Sequence, residues 1–151
     1  MSYKLLFICS GNICRSPIAE GLAPILGEKA GHTVEALSAG TLGLINRPAD
    51  PKAIEVSAEV GVDISKHKSQ PITAELLDWA DYVLVMERKH GSYIRSYFPE
   101  MEEKILEIST FGGMPKIPDP IGTWKFTFRK RRKELEKCLT SFFQQLPSEE
   151  N

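Results

Sequence analysis

Cysteine is scarce in this chain: Cys9, Cys14 and Cys138 are the only three among 151 residues. An odd number at these spacings argues against a disulfide framework and matches no common zinc pattern, so no metal and no cofactor are expected. Long apolar runs are missing too. The stretch Leu5 to Ile8 is too short for a signal-peptide core and far short of the ~20 residues that span a bilayer. A net charge of −1 supplies no overall basic field for nucleic acid or an anionic membrane, and neither is an expected partner. The reducing cytoplasm is the expected compartment for such thiols. Repeats, low-complexity tracts and long linkers are also absent, so a single domain over residues 1–151 is expected.

What is present alternates between strand-like and helix-like segments. Tyr3 to Cys9 reads as a buried parallel strand that ends at the Gly11 turn. Ser16 as N-cap and Pro17 at the first helical position predict a helix carrying Ile18, Leu22, Ile25 and Leu26, ending near Gly31. Thr33 to Ser38 predicts a second strand. Asp50-Pro51 opens a helix to about Val60, stopped by Gly61, and Thr73 opens a shorter one with Leu76, Leu77 and Trp79. Tyr82 to Met86 and Lys104 to Ile108 read as strands, and residues 88–97 as a helix. From Trp124 onward, Phe128, Leu135, Leu139, Phe142 and Leu146 mark a long amphipathic helix. The expected fold is a three-layer α/β sandwich: a four-stranded parallel sheet with helices on both faces and a phosphate-binding loop after the first strand.

Open α/β sheets bind ligands beyond the C-terminal ends of their strands. The loop there reads Cys9-Ser10-Gly11-Asn12-Ile13-Cys14-Arg15-Ser16-Pro17 and runs into a helix N-terminus, where free amides and the helix dipole favour an anion. Gly11 and Asn12 tolerate positive φ, so the amides of this loop can curl into an anion nest that holds inorganic phosphate or a similar oxyanion. No Gly-Lys-Ser/Thr follows, so this is not a Walker loop. Arg15 supplies a planar fork for two phosphoryl oxygens. Cys9 at the base would present a thiolate able to attack phosphorus without a metal or separate base. The bland reading is a buried strand-end thiol, but the arginine, the glycine and the Ser-Pro helix start all agree with the chemical one.

These residues resemble the low-molecular-weight protein-tyrosine phosphatase family, marked by Cys-x5-Arg followed by Ser near the N-terminus. The resemblance implies a phosphorylated protein as substrate, Cys9 and Arg15 as catalytic residues, and Asp119 of Ile117-Pro118-Asp119-Pro120 as general acid. Without the resemblance, Asp119 is also a plain turn-former. It further implies that Asn12, Ser38 and His67 form a hydrogen-bond network supporting the loop, and that Ser16 stabilises the leaving thiolate. A solvated loop histidine is the bland reading of His67.

Substrate choice draws on Ile13, Leu42 and Ile121. Tyrosine phosphatases of the family usually place a tyrosine after Asp-Pro, where this chain has Ile121-Gly122. Residues 69–76 and Met86-Glu87-Arg88-Lys89-His90 look more like the bacterial protein-arginine phosphatase branch. That branch has threonine where this loop has Ile13. An isoleucine offers an apolar wall to an aromatic ring, and phosphotyrosine is the expected substrate, with phosphoarginine the alternative. Leu42 is either another wall or a core residue. Cys14 is either a redox partner for Cys9 or a structural thiol. Arsenate reductase is disfavoured because only Cys138 follows the loop, and a non-catalytic phosphopeptide-binding module because Cys9, Arg15, Ser16 and Asp119 are all intact. The run Arg129 to Lys133 reads as a solvated face with one arginine snorkelling over the core, and Trp124, Phe128, Phe142 and Phe143 as core.

Overall fold

In the computed structural model, which describes residues 2–147, four strands lie parallel in the order β2-β1-β3-β4. They are β1 (Ser2–Cys9), β2 (Thr33–Gly40), β3 (Tyr82–Val85) and β4 (Ile105–Glu107). The expected domain ends, Met1 and residues 148–151, lie outside the described residues. Leu5 to Ile8 are fully buried because β1 is central and covered on both faces. Leu5, Phe7 and Cys9 pack towards one side and Leu6 and Ile8 towards the other, the alternation a strand imposes. The first face carries α1 (Arg15–Lys29), α2 (Pro51–Ala58) and α5 (Lys125–Gln145); the second carries α3 (Ala74–Trp79) and α4 (Arg88–Tyr97). This is the three-layer sandwich expected from the sequence. Short 3-10 turns over Pro99–Lys104 and Ile108–Gly112 flank β4 and were not legible as periodic segments.

Local signals explain most boundaries. Asp50 caps α2 by accepting from the Lys52 N–H at 2.9 Å, and Thr73 caps α3 by accepting from the Leu76 N–H at 3.2 Å. Ser16, by contrast, is not a cap. Cys14 takes that place with no side-chain bond, and Pro17 is the third helical residue. The Ser16 hydroxyl is drawn inward by the loop instead.

Three further expectations give way. Ile25 is exposed, because α1 buries a stripe through Ile18, Leu22 and Ala23 that leaves it outside. Trp124 is 73% exposed: it is the N-cap of α5 and lies before the helix whose stripe buries Phe128, Leu135, Leu139 and Phe142. The basic run is not a solvated face with one snorkelling arginine, since both Arg131 and Arg132 are buried. Arg132 Nη1 donates to the Val56 carbonyl and to Glu59, each at 2.7 Å, while Arg129 forks onto Glu59. The hydrogen bonds from Arg129, outweighing desolvation, hold the Glu59 carboxyl down at about 2. These arginines fasten α2 to α5.

Candidate active site

The C-terminal ends of three strands converge on one loop. Cys9 ends β1, Gly40 ends β2, and Met86 follows β3. Residues 10–14 cross between β1 and α1, and their backbone is fixed from outside as much as from within. Thr41 and Leu42 amides donate to the Cys9 and Ser10 carbonyls at 3.1 and 2.9 Å, and the Asp50 amide donates to the Ile13 carbonyl at 2.8 Å. A Cβ on Gly40 would lie 2.6 Å from the Ser10 carbonyl oxygen, so only glycine lets β2 approach this closely.

Asn12 is the hub. Its φ of +58° sits in the left-handed region that asparagine tolerates, and its side chain is fully buried. Nδ2 donates to Ser16 Oγ at 2.8 Å and to Ser38 Oγ at 2.9 Å, and Oδ1 accepts from the Gln70 N–H at 3.0 Å. His67 Nε2 donates to the Asn12 carbonyl at 2.6 Å, so it is not a solvated loop histidine. The Ser38 hydroxyl donates a hydrogen bond to Glu20, whose carboxyl is pushed up by burial, partly offset by that hydrogen bond. Because Ser16 Oγ accepts from Asn12, its hydroxyl proton is left for Cys9 Sγ, 2.9 Å away. The Asn12 N–H also points at Sγ, at 3.2 Å. The buried sulfur thus faces two hydrogen-bond donors.

Arg15 is 1% exposed and held by two acceptors. Nη1 donates to Glu87 Oε2 at 2.5 Å and to the Ile117 carbonyl at 2.8 Å. Nε is buried with no hydrogen-bond partner among the described residues, and Nη2 lies 3.8 Å from Asp119 Oδ2. The guanidinium is therefore anchored at one corner while its other donors remain for an oxyanion. Burial pushes the Glu87 carboxyl up, but the hydrogen bond and charge of Arg15 outweigh it and hold the group below the usual range.

Glu87 and His90 escaped the sequence reading as site residues. Glu87 is the N-cap of α4, and its N–H donates to His90 Nδ1 at 3.1 Å. His90 Nε2 therefore carries the ring proton and donates to Ser10 Oγ at 2.9 Å. Burial first, and the Arg15 charge second, push His90 down to about 4, which keeps the ring neutral in this role. The available signal was the spacing of an N-cap acid and an N3 acceptor, a capping box with histidine in place of Glu or Gln.

Asp119 forms a turn, and its second carboxylate oxygen lies beside Arg15. Oδ1 accepts from the Ile121 N–H at 3.0 Å, a turn bond, while Oδ2 faces Arg15. The carboxylate is 42% exposed. Ile13 is half-buried beside Gly11, and Leu42 (66% exposed) and Ile121 (51% exposed) stand outside the core, which settles Leu42 as a surface residue. Cys14 is a buried free thiol; burial, and then the Asp50 charge, push it well above the usual range. Cys9 and Cys138 are free as well. Among the described residues, no group of three or more His, Cys, Asp and Glu side chains could hold a metal, and no helix is long and apolar enough to cross a membrane.

A parallel α/β sheet with a Cys-x5-Arg anion cradle at its strand ends defines a class of phosphate-ester hydrolases using a cysteine. The comparisons with known proteins agree. The family model "Low molecular weight phosphotyrosine protein phosphatase" matches residues 4–151, and the chain belongs to that family. It is 35% identical over 144 residues to a protein-arginine-phosphatase of Bacillus subtilis, covering 94% of this chain and 95% of that one. With the low molecular weight protein-tyrosine-phosphatase Etp of Escherichia coli it shares 37% identity over 117 residues, covering 78% and 76% of the two chains. The crystal structure of a low molecular weight protein tyrosine phosphatase from T. tengcongensis superimposes with a TM-score of 0.89 at 36% identity, covering 95% of this chain and 99% of that one.

Proposed function

We propose that this chain, read as one domain over residues 1–151, hydrolyses phosphotyrosine in proteins through a cysteinyl-phosphate intermediate. The observation that carries the reading is the pairing of Cys9 Sγ, which faces two donors, with an arginine whose Nε is buried and unpartnered. In the first half-reaction Sγ attacks phosphorus, the S–P bond forms and the P–O bond to the leaving group breaks. Arg15 Nε and Nη2, with the loop amides, hold the equatorial oxygens where charge is greatest. Asp119 gives its proton to the leaving oxygen. In the second half, water attacks phosphorus and gives a proton to Asp119, and the S–P bond breaks. The departing thiolate is received by the Ser16 hydroxyl and the Asn12 N–H. Loop supports are Ser10, Gly11, Asn12, Ile13, Cys14, Ser38 and His67. No cofactor enters this scheme, and free thiols suit a reducing compartment such as the cytoplasm.

Phosphotyrosine is favoured over phosphoarginine by Ile13, a half-buried loop residue whose aliphatic side chain suits an aromatic ring better than a guanidinium. The second reading, protein-arginine phosphatase, draws on the Bacillus subtilis relative's name and its coverage of nearly the whole chain. Turnover of 4-nitrophenyl phosphate tests the chemistry: Cys9→Ser should abolish it yet still bind phosphate, and an active Cys9→Ser protein would sink the mechanism. Phosphotyrosine and phosphoarginine peptides compared on wild type and Ile13→Thr test the substrate. Wild type is expected to prefer phosphotyrosine and the variant to lose that preference; a wild-type preference for phosphoarginine reverses the assignment.

A further inference from the structure

Beside the phosphate loop runs an open groove of about 510 Å³ lined by Asn46, Pro48, Ser65, Lys66, His67 and Lys68. We propose that it docks an acidic stretch of a phosphoprotein substrate flanking the phosphorylated residue. The proposal rests on the phosphoprotein reading of the site. Its first support is exposed positive charge outside any ion pair. Lys66, Lys68 and the adjoining Arg47 are exposed, and none forms an ion pair among the described residues. Every other arginine except Arg88 is paired: Arg15, Arg95, Arg129, Arg131 and Arg132 each meet a carboxylate. The nearest acid in sequence, Asp63, accepts from the Ser65 N–H at 2.8 Å, and the Lys66 charge is the smallest of the influences that hold its carboxyl below the usual range. With a net charge of −1 over the chain, this cationic strip is local and not a by-product of a basic protein.

The second support is rigidity. The Asn46 N–H donates to the Ser69 carbonyl and the Ser69 N–H to the Arg47 carbonyl, each at 2.8 Å, so the two walls are stitched together. Ser69 Oγ adds a bond to the Leu44 carbonyl at 2.9 Å. A groove already held in shape loses little entropy on binding. The third support is continuity with the chemistry. His67, on the groove floor, donates to the carbonyl of Asn12, and the amide of Asn12 reaches Cys9 Sγ. The groove therefore adjoins the backbone of the phosphate loop through His67.

The test compares phosphotyrosine peptides with glutamate or alanine flanks, using wild type, Lys66→Glu/Lys68→Glu and, as a control for remote charge, Lys133→Glu. Wild type is expected to prefer the acidic peptide in kcat/KM by about three- to tenfold, the yield of two or three exposed ion pairs. That preference should shrink at about 0.5 M salt, where exposed charges are screened. The double variant should lose or invert it with little change on 4-nitrophenyl phosphate, and Lys133→Glu should keep it. Calorimetric binding of the same peptides to the Cys9→Ser protein reads docking without turnover, so failure of the phosphatase reading stays distinguishable from failure of the groove. Equal affinity for both peptides, or an acidic preference unchanged in the double variant, overturns the proposal. So does an oligoribonucleotide that binds in a Lys66/Lys68-dependent manner while the acidic peptide does not.

Discussion

Replacing Glu87 with glutamine probes the anchoring of the phosphate clamp directly. Arg15 is 1% exposed and Glu87 13%, so this ion pair sits almost wholly out of water. Stranding one member of a buried pair costs about 3–5 kcal/mol. Glutamine keeps an oxygen that can accept from Nη1, and the site edge is partly solvated, so a loss of about 2–3 kcal/mol is expected. At roughly 2–4 °C per kcal/mol for a chain of this size, Tm should fall by about 4–12 °C. The guanidinium, left with only the more distant Asp119 carboxylate, should attract a phosphate dianion more strongly. A ligand at 100 times its Kd adds about 2.7 kcal/mol, so saturating phosphate should recover most of the lost stability. The assay is thermal unfolding of both proteins across a phosphate titration. Lys116→Gln serves as control, because its 3.8 Å contact with Glu87 is exposed and worth under about 1 kcal/mol. A Tm within about 2 °C of wild type, or a phosphate-induced shift smaller than wild type's, would refute the argument.

Three further outcomes follow from the geometry. Gly40→Ala places a Cβ 2.6 Å from the Ser10 carbonyl oxygen, so the loop itself must move. We expect about 1–3 kcal/mol of destabilisation and at least a tenfold drop in kcat/KM, and an unimpaired enzyme would show the loop tolerates the shift. His90, held down at about 4 against an ordinary 6.5, is neutral when folded, whereas the unfolded chain takes up a proton as pH drops below about 6.5. Its contribution is therefore intact above that pH and lost progressively towards pH 4, by up to about 3 kcal/mol. Urea unfolding at several pH values should show His90→Gln with a flatter acid limb, and a parallel limb would remove His90 from the account. Asp119→Ala should slow phenyl phosphate hydrolysis by about 10²–10⁴, less for esters with acidic leaving groups, and an equal loss on all esters would argue against proton donation.

The sheet and its central loop were readable because their signals are local. Leu5 to Ile8 form one unbroken apolar run, Asp50-Pro51 announces a helix, and Cys9 and Arg15 are six positions apart in one segment. Glu87 and His90 were harder to see because their roles depend on residues 72 and 80 positions away, Arg15 and Ser10. The same limit explains the basic run. No periodicity reveals that Arg132 reaches the Val56 carbonyl on another helix, and charge alone reads as surface. Ser16 misled in a different way: serine before a helical stripe signals a cap, yet Asn12 and Cys9 hold its hydroxyl more closely than the helix end does.

Ile117 carries a consequence for timing. Its N–H donates to the Met86 carbonyl at 3.0 Å and its own carbonyl receives Arg15 at 2.8 Å. Farther along, Lys52 grips the Thr123 carbonyl at 2.5 Å. The segment bearing Asp119 is thus tied at both ends, one of them to Arg15. If Asp119 is the proton donor and Arg15 the phosphate clamp, as proposed above, acid and clamp share a common mounting and their separation should vary little. A catalyst mounted in this way should need no closing step at this segment, and its kcat should then be insensitive to added viscogen.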